Sequence, residues 1–244
     1  MTDIIYEQPL NEKIRSSLRL EYLAEQLTYN FNHDHRHACF FPLFSLWELT
    51  ERCDYRNDVL KDIDRQLALF NKWCLLPETD HQQASLLIEQ LNTARADLAN
   101  CPRLGQELKQ DRFLMAIRQR FSMPGASCNF DLPQLHFWLA KPWSERQHHY
   151  QQWCEHFQPL LNAIKLLLKL VRETSTFEPT TAQGGFHQGD SSQPLSLIRV
   201  ALPQEQNCYP TISGNRNRFA IHFVNFERHK HTDQMIDFKL AACR

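Results

Sequence analysis

The sequence predicts an α+β protein with an N-terminal all-helical domain and a smaller C-terminal antiparallel β domain. Up to about residue 175, glycine occurs only at Gly105 and Gly125, and apolar residues recur at helical spacing. After that point come four more glycines, together with alternating runs of β-branched and aromatic residues. Because one long helical segment is followed by one strand-rich segment, we predict two domains, 1–176 and 177–244.

Several helices are predicted in the first domain, and prolines lie between many of them. The first runs from about Asn11 to Phe31, with Pro9 before it and Asn11 as its cap. The other helices are expected at about 43–53, 56–75, 80–99, 103–121, 132–140 and 144–174. The last of these is the longest, and its wide apolar stripe predicts a central position in the domain.

The second domain is predicted to begin with a loop and to continue as strands. The segment 178–194 is rich in Gly, Ser, Thr and Gln, which indicates the loop. Strands are expected at about 195–202, 206–212, 217–227 and 233–242. In the third strand, Phe219, Ile221 and Phe223 lie on one face. Arg218 and His222 lie on the opposite face, about 13 Å apart at roughly 3.3 Å per residue.

Composition and charge exclude several classes of protein. The chain has 244 residues and a formal net charge of −1, with 23% charged residues, so the molecule as a whole is not a polyanion binder. It has no run of about 18 apolar residues, and its first residues contain acids and no apolar signal-peptide core. The eight cysteines stand apart without a C-x-x-C pair, which indicates reduced thiols. We therefore expect a cytoplasmic protein with no membrane partner.

Residue patterns typical of catalytic or metal sites are weak. His33, His35 and His37 alternate in H-D-H-R-H, which has the composition of a zinc site. However, the segment is polar, follows a helix and has no glutamate at H-E-x-x-H spacing, so a solvated loop is the better interpretation. There is no G-x-S-x-G, and Gly184 and Gly185 lack the G-K-[ST] of a phosphate loop. We predict no catalytic residue, no metal site and no cofactor.

The strongest functional signal is a concentration of arginines and aromatic residues in two segments, DRFLMAIRQRFSMPGASCNFDLPQLHFWLAKP at 111–142 and SGNRNRFAIHF at 213–223. Arginine presents a planar fork that suits carboxylates, and it stacks on aromatic rings. For Arg112, Arg118 or Arg120 alone, a solvated side chain over an aromatic core is the simpler interpretation. The set together favours a ligand-binding groove.

Two ligand classes fit such a groove. The first is a short peptide with acidic and apolar residues, and the second is nucleic acid. Near-neutral total charge, few lysines outside helices and no recognised nucleic-acid motif weigh against the second class. Nucleic-acid binding loses orders of magnitude in affinity with modest added salt, whereas a peptide with an apolar anchor loses less. A salt series therefore separates the two classes.

Several long blocks of this sequence resemble the ZapD family, the Z-ring-associated cell-division proteins of Gram-negative bacteria. The blocks occur in the family's order from Tyr6 to Cys243, which is nearly the whole chain. They are YEQPLNEKIRSSLRLEYLAEQL, LKDIDRQL, PRLGQELKQDRFLMAIRQRFSMPGASCNFDLPQLHFWL, YPTISGNRNRFAIHF and DFKLAAC. The length and the order of these blocks make the resemblance specific.

The resemblance implies a non-enzymatic cytoplasmic homodimer that acts at the mid-cell division site. Members of the family bind the C-terminal tail of FtsZ, the tubulin-like division GTPase, and bundle its protofilaments; no nucleic acid or membrane is implied. Their peptide site is an electropositive pocket. Its basic positions correspond here to Arg19 in LRLEYL, Arg52 in LTERCDY, Arg112 in QDRFLM, His136 in LPQLHFW and Arg218 in NRNRFAI.

One residue departs from the family pattern. Relatives tend to carry a second arginine in RFAIRF, where this chain has His222. Free imidazole titrates near about pH 6.5, so a positive charge at this position is partial at neutral pH. We place His222 among the partner-binding residues that the resemblance implies, and we expect tighter tail binding at lower pH.

Overall fold

The computed structural model describes residues 3–34, 36–77 and 80–244, and it confirms the predicted α+β class. Helices occupy most of the chain up to residue 172, and antiparallel strands follow. The chain forms two compact units, Leu20–Leu167, and Met1–Arg19 together with Leu168–Arg244. The first is helical and the second contains the sheets. The domain boundary between residues 176 and 177 stays a prediction.

Capping side chains define where half of the described α-helices begin. The α-helices of the described residues are α1 (Glu12–Asn32), α2 (Phe40–Arg52), α3 (Tyr55–Trp73), α4 (His81–Asn100), α5 (Arg112–Arg120), α6 (Pro133–Leu139), α7 (Trp143–Glu155) and α8 (Gln158–Arg172). Asn11 caps α1 as predicted, because its Oδ1 accepts from the amide of Ile14 at 2.9 Å. Asp54, Asp80 and Asp111 cap α3, α4 and α5. Within the described ranges, no helix has the length and apolar character to cross a membrane.

The predicted helix 144–174 is wrong as a single helix. Helix α7 ends at Glu155 and α8 begins at Gln158. Pro159 lies in the first turn of α8, where its missing N–H has no intrahelical partner to lose. Inside a continuous helix, its ring would clash with the carbonyl four residues earlier. The proline therefore divides the apolar stripe between two helices.

Helix α5 is shorter than the predicted 103–121. Gly105 adopts a φ of +66°, a conformation that favours glycine. A Cβ at this position would also lie 2.8 Å from the ring of Trp47. A 3₁₀ turn at Glu107–Gln110 follows, and α5 begins only at Arg112. Backbone conformation and packing both require glycine here, so the helical pattern is interrupted.

An ion pair between a buried arginine and an exposed aspartate lies within the helical unit. Arg146 is 4% exposed and donates from Nη1 to Oδ1 of Asp34 at 2.7 Å, and from Nη2 to the other carboxylate oxygen. The hydrogen bond from Arg146 is the main reason why the pKa of Asp34 lies below its usual value. Asp34 belongs to the H-D-H-R-H segment, in which His35 lies outside the described residues. Asp34 is therefore held by a buried arginine, although its own side chain is 38% exposed.

The strands of the described chain form two antiparallel sheets. They are β1 (Asp3–Pro9), β2 (Glu178–Ala182), β3 (Phe186–Asp190), β4 (Leu197–Pro203), β5 (Cys208–Gly214), β6 (Arg218–Asn225), β7 (Lys230–His231) and β8 (Ile236–Cys243). The first sheet has the order β1-β4-β8-β2, and the second has β3-β6-β5 with β7 paired to β6. Phe223 of β6 and Phe238 of β8 belong to one buried cluster, with ring centroids 5.1 Å apart. The two sheets therefore pack face to face.

Two features of the sheets differ from the sequence predictions. The sequence predicts no strand before α1, yet β1 pairs with β4 along its whole length. The predicted loop 178–194 is also wrong, because most of it forms β2 and β3, joined at Gly184 and Gly185. Both glycines have positive φ, +58° and +67°. Since β2 and β3 are edge strands with few buried side chains, they lack the apolar alternation that identifies the other strands.

An ion cluster joins β1, β4 and α8. Glu7 of β1 accepts from Nε of Arg199 at 2.8 Å, and from Nε and Nη2 of Arg172 at 2.9 and 2.6 Å. All three side chains are mostly buried. Removing one partner of such a buried pair costs about 3–5 kcal/mol, because the remaining charge is left without compensation. The cluster therefore fixes the first strand to parts of the chain that come much later in the sequence.

Candidate functional site

Asp111 determines where α5 begins. Its Oδ1 accepts from the amides of Phe113 and Leu114 at 2.9 and 3.1 Å, which is an N-cap. Its Oδ2 accepts from the indole Nε1 of Trp153 in α7 at 3.0 Å. The same carboxylate thus caps α5 and joins it to α7, so that Arg112 is the first residue of the helix.

Arg112 is an exposed cation without a partner. Its side chain makes no ion pair or hydrogen bond with any residue that the structure describes. It is the first residue of α5, directly after Asp111, whose carboxylate already accepts from two amides at this end of the helix. An anionic ligand at this place would interact favourably with the guanidinium.

A cluster of aromatic rings packs α5 against α6 and α7. The ring of Phe113 lies 5.8 Å from the rings of both Trp138 and Trp153, between centroids. Phe40 of α2 lies 5.4 Å from Trp138, which is only 4% exposed and donates from Nε1 to Nδ1 of His149 at 3.1 Å. Some of the aromatic residues that the sequence places among the arginines are therefore core residues that position the helices.

Other aromatic residues of the same segment are exposed around His136. Phe137 and Phe130 are 68% and 81% exposed. His136 precedes Phe137 on α6 and is exposed as well. The Nζ of Lys141 lies 5.8 Å from the centroid of the Phe137 ring. Helix α6 and the residues that flank it thus present apolar rings and basic groups, and a peptide with acidic and apolar residues requires both.

Arg118 has a structural role instead of a ligand-binding one. Its Nη2 donates to Oε2 of Glu51 at 2.6 Å, and its guanidinium lies 4.1 Å from the centroid of the Trp47 ring. The Nζ of Lys109 lies 2.8 Å from Oε1 of the same glutamate. These bonds lower the pKa of Glu51, chiefly through the hydrogen bond from Arg118. Within the predicted groove, Arg118 is therefore already occupied.

Arg52 lies in the last turn of α2 and makes an exposed ion pair with Glu48. It lines a cavity of about 630 Å³ together with Arg56 and Arg103. Neither of these two arginines is among the predicted binding residues, although Arg56 follows Arg52 by only four positions. The cavity also contains the carboxylate of Asp54. Arg52 therefore belongs to a polar cavity of mixed charge.

Arg218 and His222 lie on the outer face of the second sheet, as predicted. Arg218 is opposite Asp190 of β3, and its Nε lies 2.7 Å from Oδ1 of that residue. His222 is opposite Phe186, with ring centroids 4.7 Å apart, and lies 4.9 Å from the ring of His231. This face therefore combines one paired arginine with two neighbouring imidazoles and an exposed aromatic ring.

Arg19 is exposed on α1 and has only a distant acidic neighbour. Its Nη1 lies 3.9 Å from Oε1 of Glu12, and the Nε of Arg15 lies 3.2 Å from the other oxygen of that carboxylate. The two arginines, which repel each other at a spacing of four residues, share one exposed glutamate. Arg19 is thus only weakly paired.

The predicted binding residues are divided between the two units. Arg52, Arg112 and His136 belong to Leu20–Leu167, and Arg19, Arg218 and His222 belong to the other unit. In the helical unit, α5 packs against α6 through the rings described above, which brings the helices of Arg112 and His136 together. The assembly of all six residues into one pocket stays a prediction.

Thiols and metal-ligating side chains are dispersed. All eight cysteines are free, and burial raises the pKa of Cys39 to about 12. In the ranges 3–34, 36–77 and 80–244, no three His, Cys, Asp or Glu side chains are arranged to hold a metal ion. These ranges include His33 and His37, whereas His35 lies outside the described residues. The absence of a metal or cofactor role stays a prediction.

Comparison with known proteins assigns the family. The ZapD family model, described as a cell division protein, matches residues 18–222. A protein of Shewanella sp. (strain MR-4) is 62% identical over 243 residues, and one of Shewanella baltica (strain OS185) is 61% identical over 243 residues. A protein of Vibrio vulnificus (strain CMCP6) is 42% identical over 246 residues. Each alignment covers 100% of both chains, and each relative is named Cell division protein ZapD.

These matches, together with the helical unit and the packed sheets, define a cell division protein. The chain belongs to the ZapD family, since the family model covers most of its length and full-length relatives exceed 60% identity. The resemblance inferred from the sequence blocks is therefore confirmed.

Proposed function

We propose that this protein binds the C-terminal tail of FtsZ through its basic residues, and that its homodimer crosslinks FtsZ protofilaments and stabilises the Z-ring. The observation that carries the proposal is Arg112, an exposed arginine without a partner among the described residues. A tail carboxylate gains a charge-assisted hydrogen bond there without displacing an existing ion pair. Membership of the ZapD family supports FtsZ as the source of the peptide.

The existing ion pairs of two predicted binding arginines oppose tail binding only slightly. Arg52 and Arg218 pair with Glu48 and Asp190, and all four side chains are more than half exposed. Exposed ion pairs of this kind contribute about 0.2–1 kcal/mol. A tail carboxylate therefore replaces the existing acid at little cost in free energy.

Bundling depends on valence more than on the affinity of one site. A disordered tail loses conformational entropy when it docks, so we expect a single-site affinity of about micromolar, or roughly −8 kcal/mol. A twofold dimer presents two identical pockets, and a filament carries many tails. Effective concentration then raises the avidity by about 10²–10⁴ without any new contact.

The proposed role is non-enzymatic and requires no cofactor. The protein acts in the cytoplasm at the mid-cell division site, where FtsZ filaments assemble. Support for this location comes from the family to which the chain belongs. Binding, dimerisation and crosslinking together are sufficient for the role, because none of these steps makes or breaks a covalent bond.

The alternative, nucleic acid bound in a basic groove, has less support. The formal net charge of −1 gives the protein no overall attraction for a polyanion, and the sequence contains no recognised nucleic-acid-binding motif. A salt series with the FtsZ tail and with duplex DNA separates the two ligands, because counterion release makes DNA binding fall steeply with salt. We expect the tail to bind over the whole series.

Co-sedimentation with FtsZ filaments tests the proposal. The protein should enter the pellet with full-length FtsZ and remain in solution with FtsZ that lacks its terminal peptide. Light scattering of the same mixtures reports bundling. A variant held monomeric should still bind one tail but should not increase scattering. Equal pelleting with both forms of FtsZ would contradict tail binding, and normal bundling by the monomer would contradict crosslinking.

A further inference from the structure

A cavity of about 330 Å³ opens between α2, α5, α6 and the turn that follows α5. Polar and apolar groups share its lining about equally: buried apolar side chains form its base, and polar groups at its sides include those of His37, Ser122 and Ser127. Pockets that hold small ligands typically begin at about 300 Å³. The cavity therefore has room for one large apolar side chain of a ligand.

Exposed apolar side chains extend the cavity towards its rim. Phe121 and Met123 line it and are 38% and 58% exposed. Phe41, 57% exposed, lies beside Phe121 with ring centroids 6.4 Å apart. Methionine adapts its shape to a ligand more readily than branched side chains do. Exposed apolar side chains grouped at the rim of a cavity are typical of a binding surface.

Arg120 supplies a positive charge to this cavity. It is half-buried, and its side chain has no ion pair or hydrogen bond with any described residue, unlike Arg118 two positions earlier. None of the described residues that line the cavity carries a carboxylate. The C-terminal end of α5 stabilises the guanidinium in part. A carboxylate ligand would offset the remaining cost of partial burial.

We propose that this cavity holds an apolar side chain of the FtsZ tail while Arg120 binds a carboxylate on a neighbouring residue of the same tail. This inference rests on the proposed function. Arg112 and Arg120 are the two ends of α5, about 12 Å apart at roughly 1.5 Å per residue. About four residues of extended peptide span that distance. Leu135 of the cavity is also the neighbour of His136 on α6.

Two substitutions with matched controls test the cavity. Arg120→Gln removes the charge, and Arg95→Gln removes the same charge from an exposed pair on α4. Met123→Ser removes the apolar rim, and Met235→Ser removes a methionine that is 69% exposed in the other unit. Because all four positions are at least partly exposed, we expect the fold to be retained, and circular dichroism checks this.

Binding of a fluorescent FtsZ tail peptide gives the readout. We expect Arg120→Gln to weaken binding at least about tenfold, the usual effect of losing a charged hydrogen bond. Met123→Ser should weaken it about three- to tenfold, whereas both controls should bind like the unchanged protein. A serine scan of the apolar tail residues identifies the side chain that enters the cavity. One serine peptide should bind the unchanged protein more weakly than the original peptide does. The same peptide should bind Met123→Ser almost as well as the original peptide does, because the contact is already lost.

The outcomes separate this inference from the proposed function. If the unchanged protein does not bind the tail, the proposed function fails and the inference fails with it. If the tail binds and Arg112→Glu abolishes binding, but Arg120→Gln and Met123→Ser behave like their controls, only the cavity is excluded. If every serine substitution weakens binding to Met123→Ser as much as binding to the unchanged protein, the placement of a tail side chain in the cavity is likewise overturned.

Discussion

The indole of Trp153 donates a hydrogen bond to Oδ2 of Asp111 at 3.0 Å, while Oδ1 of the same carboxylate caps α5. One side chain therefore satisfies free amides of α5 and the buried N–H of a tryptophan in α7. The position of Arg112 follows from this arrangement, because the cap determines which residue begins the helix. A structural contact of α7 thus positions a residue of the candidate binding surface.

Replacement of Asp111 should reduce stability more than the loss of an ordinary cap. Asp111→Ala removes the N-cap, which is worth about 1 kcal/mol, and leaves the Trp153 N–H without an acceptor, at about 1–3 kcal/mol more. Asp80→Ala is the control, because Asp80 caps α4 through two amides and makes no bond to an indole. Urea unfolding measures both. Equal losses for the two variants would show that the indole bond contributes nothing.

Charge reversal at the predicted binding arginines should abolish tail binding. Arg112→Glu and Arg218→Glu place an anion where we expect a tail carboxylate, so we expect affinity to fall at least about 100-fold. Lys72→Glu is the control, because Lys72 is an exposed cation in the last turn of α3. Fluorescence anisotropy measures binding, and sedimentation measures the dimer. Unchanged affinity in either arginine variant would remove that residue from the site.

Tail binding should strengthen as the pH falls from 7.5 to 6 if His222 replaces a binding arginine. A protonated imidazole adds positive charge to the face that also carries Arg218 and His231. His222→Arg should bind more tightly than the unchanged protein at pH 7.5, and His222→Gln should show a smaller pH dependence. Titrations at both pH values, corrected for ionisation of the peptide, measure this. An identical pH dependence in His222→Gln would exclude His222.

Stability of the sheet unit should decrease as the pH falls below about 6.5, because of His187. Burial lowers the pKa of His187, so the folded state favours the neutral ring. The unfolded chain then binds a proton at a higher pH than the folded chain. The contribution of His187 to stability is complete at pH values above its pKa in the unfolded chain. It is lost as the pH falls towards its pKa in the folded chain. Urea midpoints at pH 7.5 and 5.5 measure it.

A matched histidine provides the control for this prediction. His187 lies against Phe238, with ring centroids 5.6 Å apart, whereas His229 is exposed. His187→Gln should reduce the difference between the two midpoints, and His229→Gln should leave it unchanged. If both variants keep the full difference, another group is responsible.

Local signals in the sequence predict much of the fold. Asn11 caps α1 as predicted, and the apolar alternation of β6 buries Phe219, Ile221 and Phe223. Both signals act over a few residues and need no knowledge of the rest of the chain. The break before Pro159 is a local signal of the same kind, and the prediction of one long helix overlooks it.

Long-range contacts determine what the sequence does not reveal. Arg118 and Arg120 are equivalent by local pattern, but Arg118 is bound by Glu51, which lies 67 positions away, and Arg120 has no described partner. The residue types of the candidate site were therefore predictable, whereas the availability of each cation was not. In the same way, β1 becomes a strand only through its pairing with β4.

The ion cluster around Glu7 has a consequence for the order of events during translation. Its arginine partners follow 165 and 192 positions later, so β1 leaves the ribosome long before them. The unit Leu20–Leu167 is continuous in the chain and is able to fold on the growing polypeptide. The nascent β1, with Ile4 and Ile5, stays unpaired until β4 emerges. Because β8 pairs with both β4 and β2, this sheet is complete only after β8 has emerged as well.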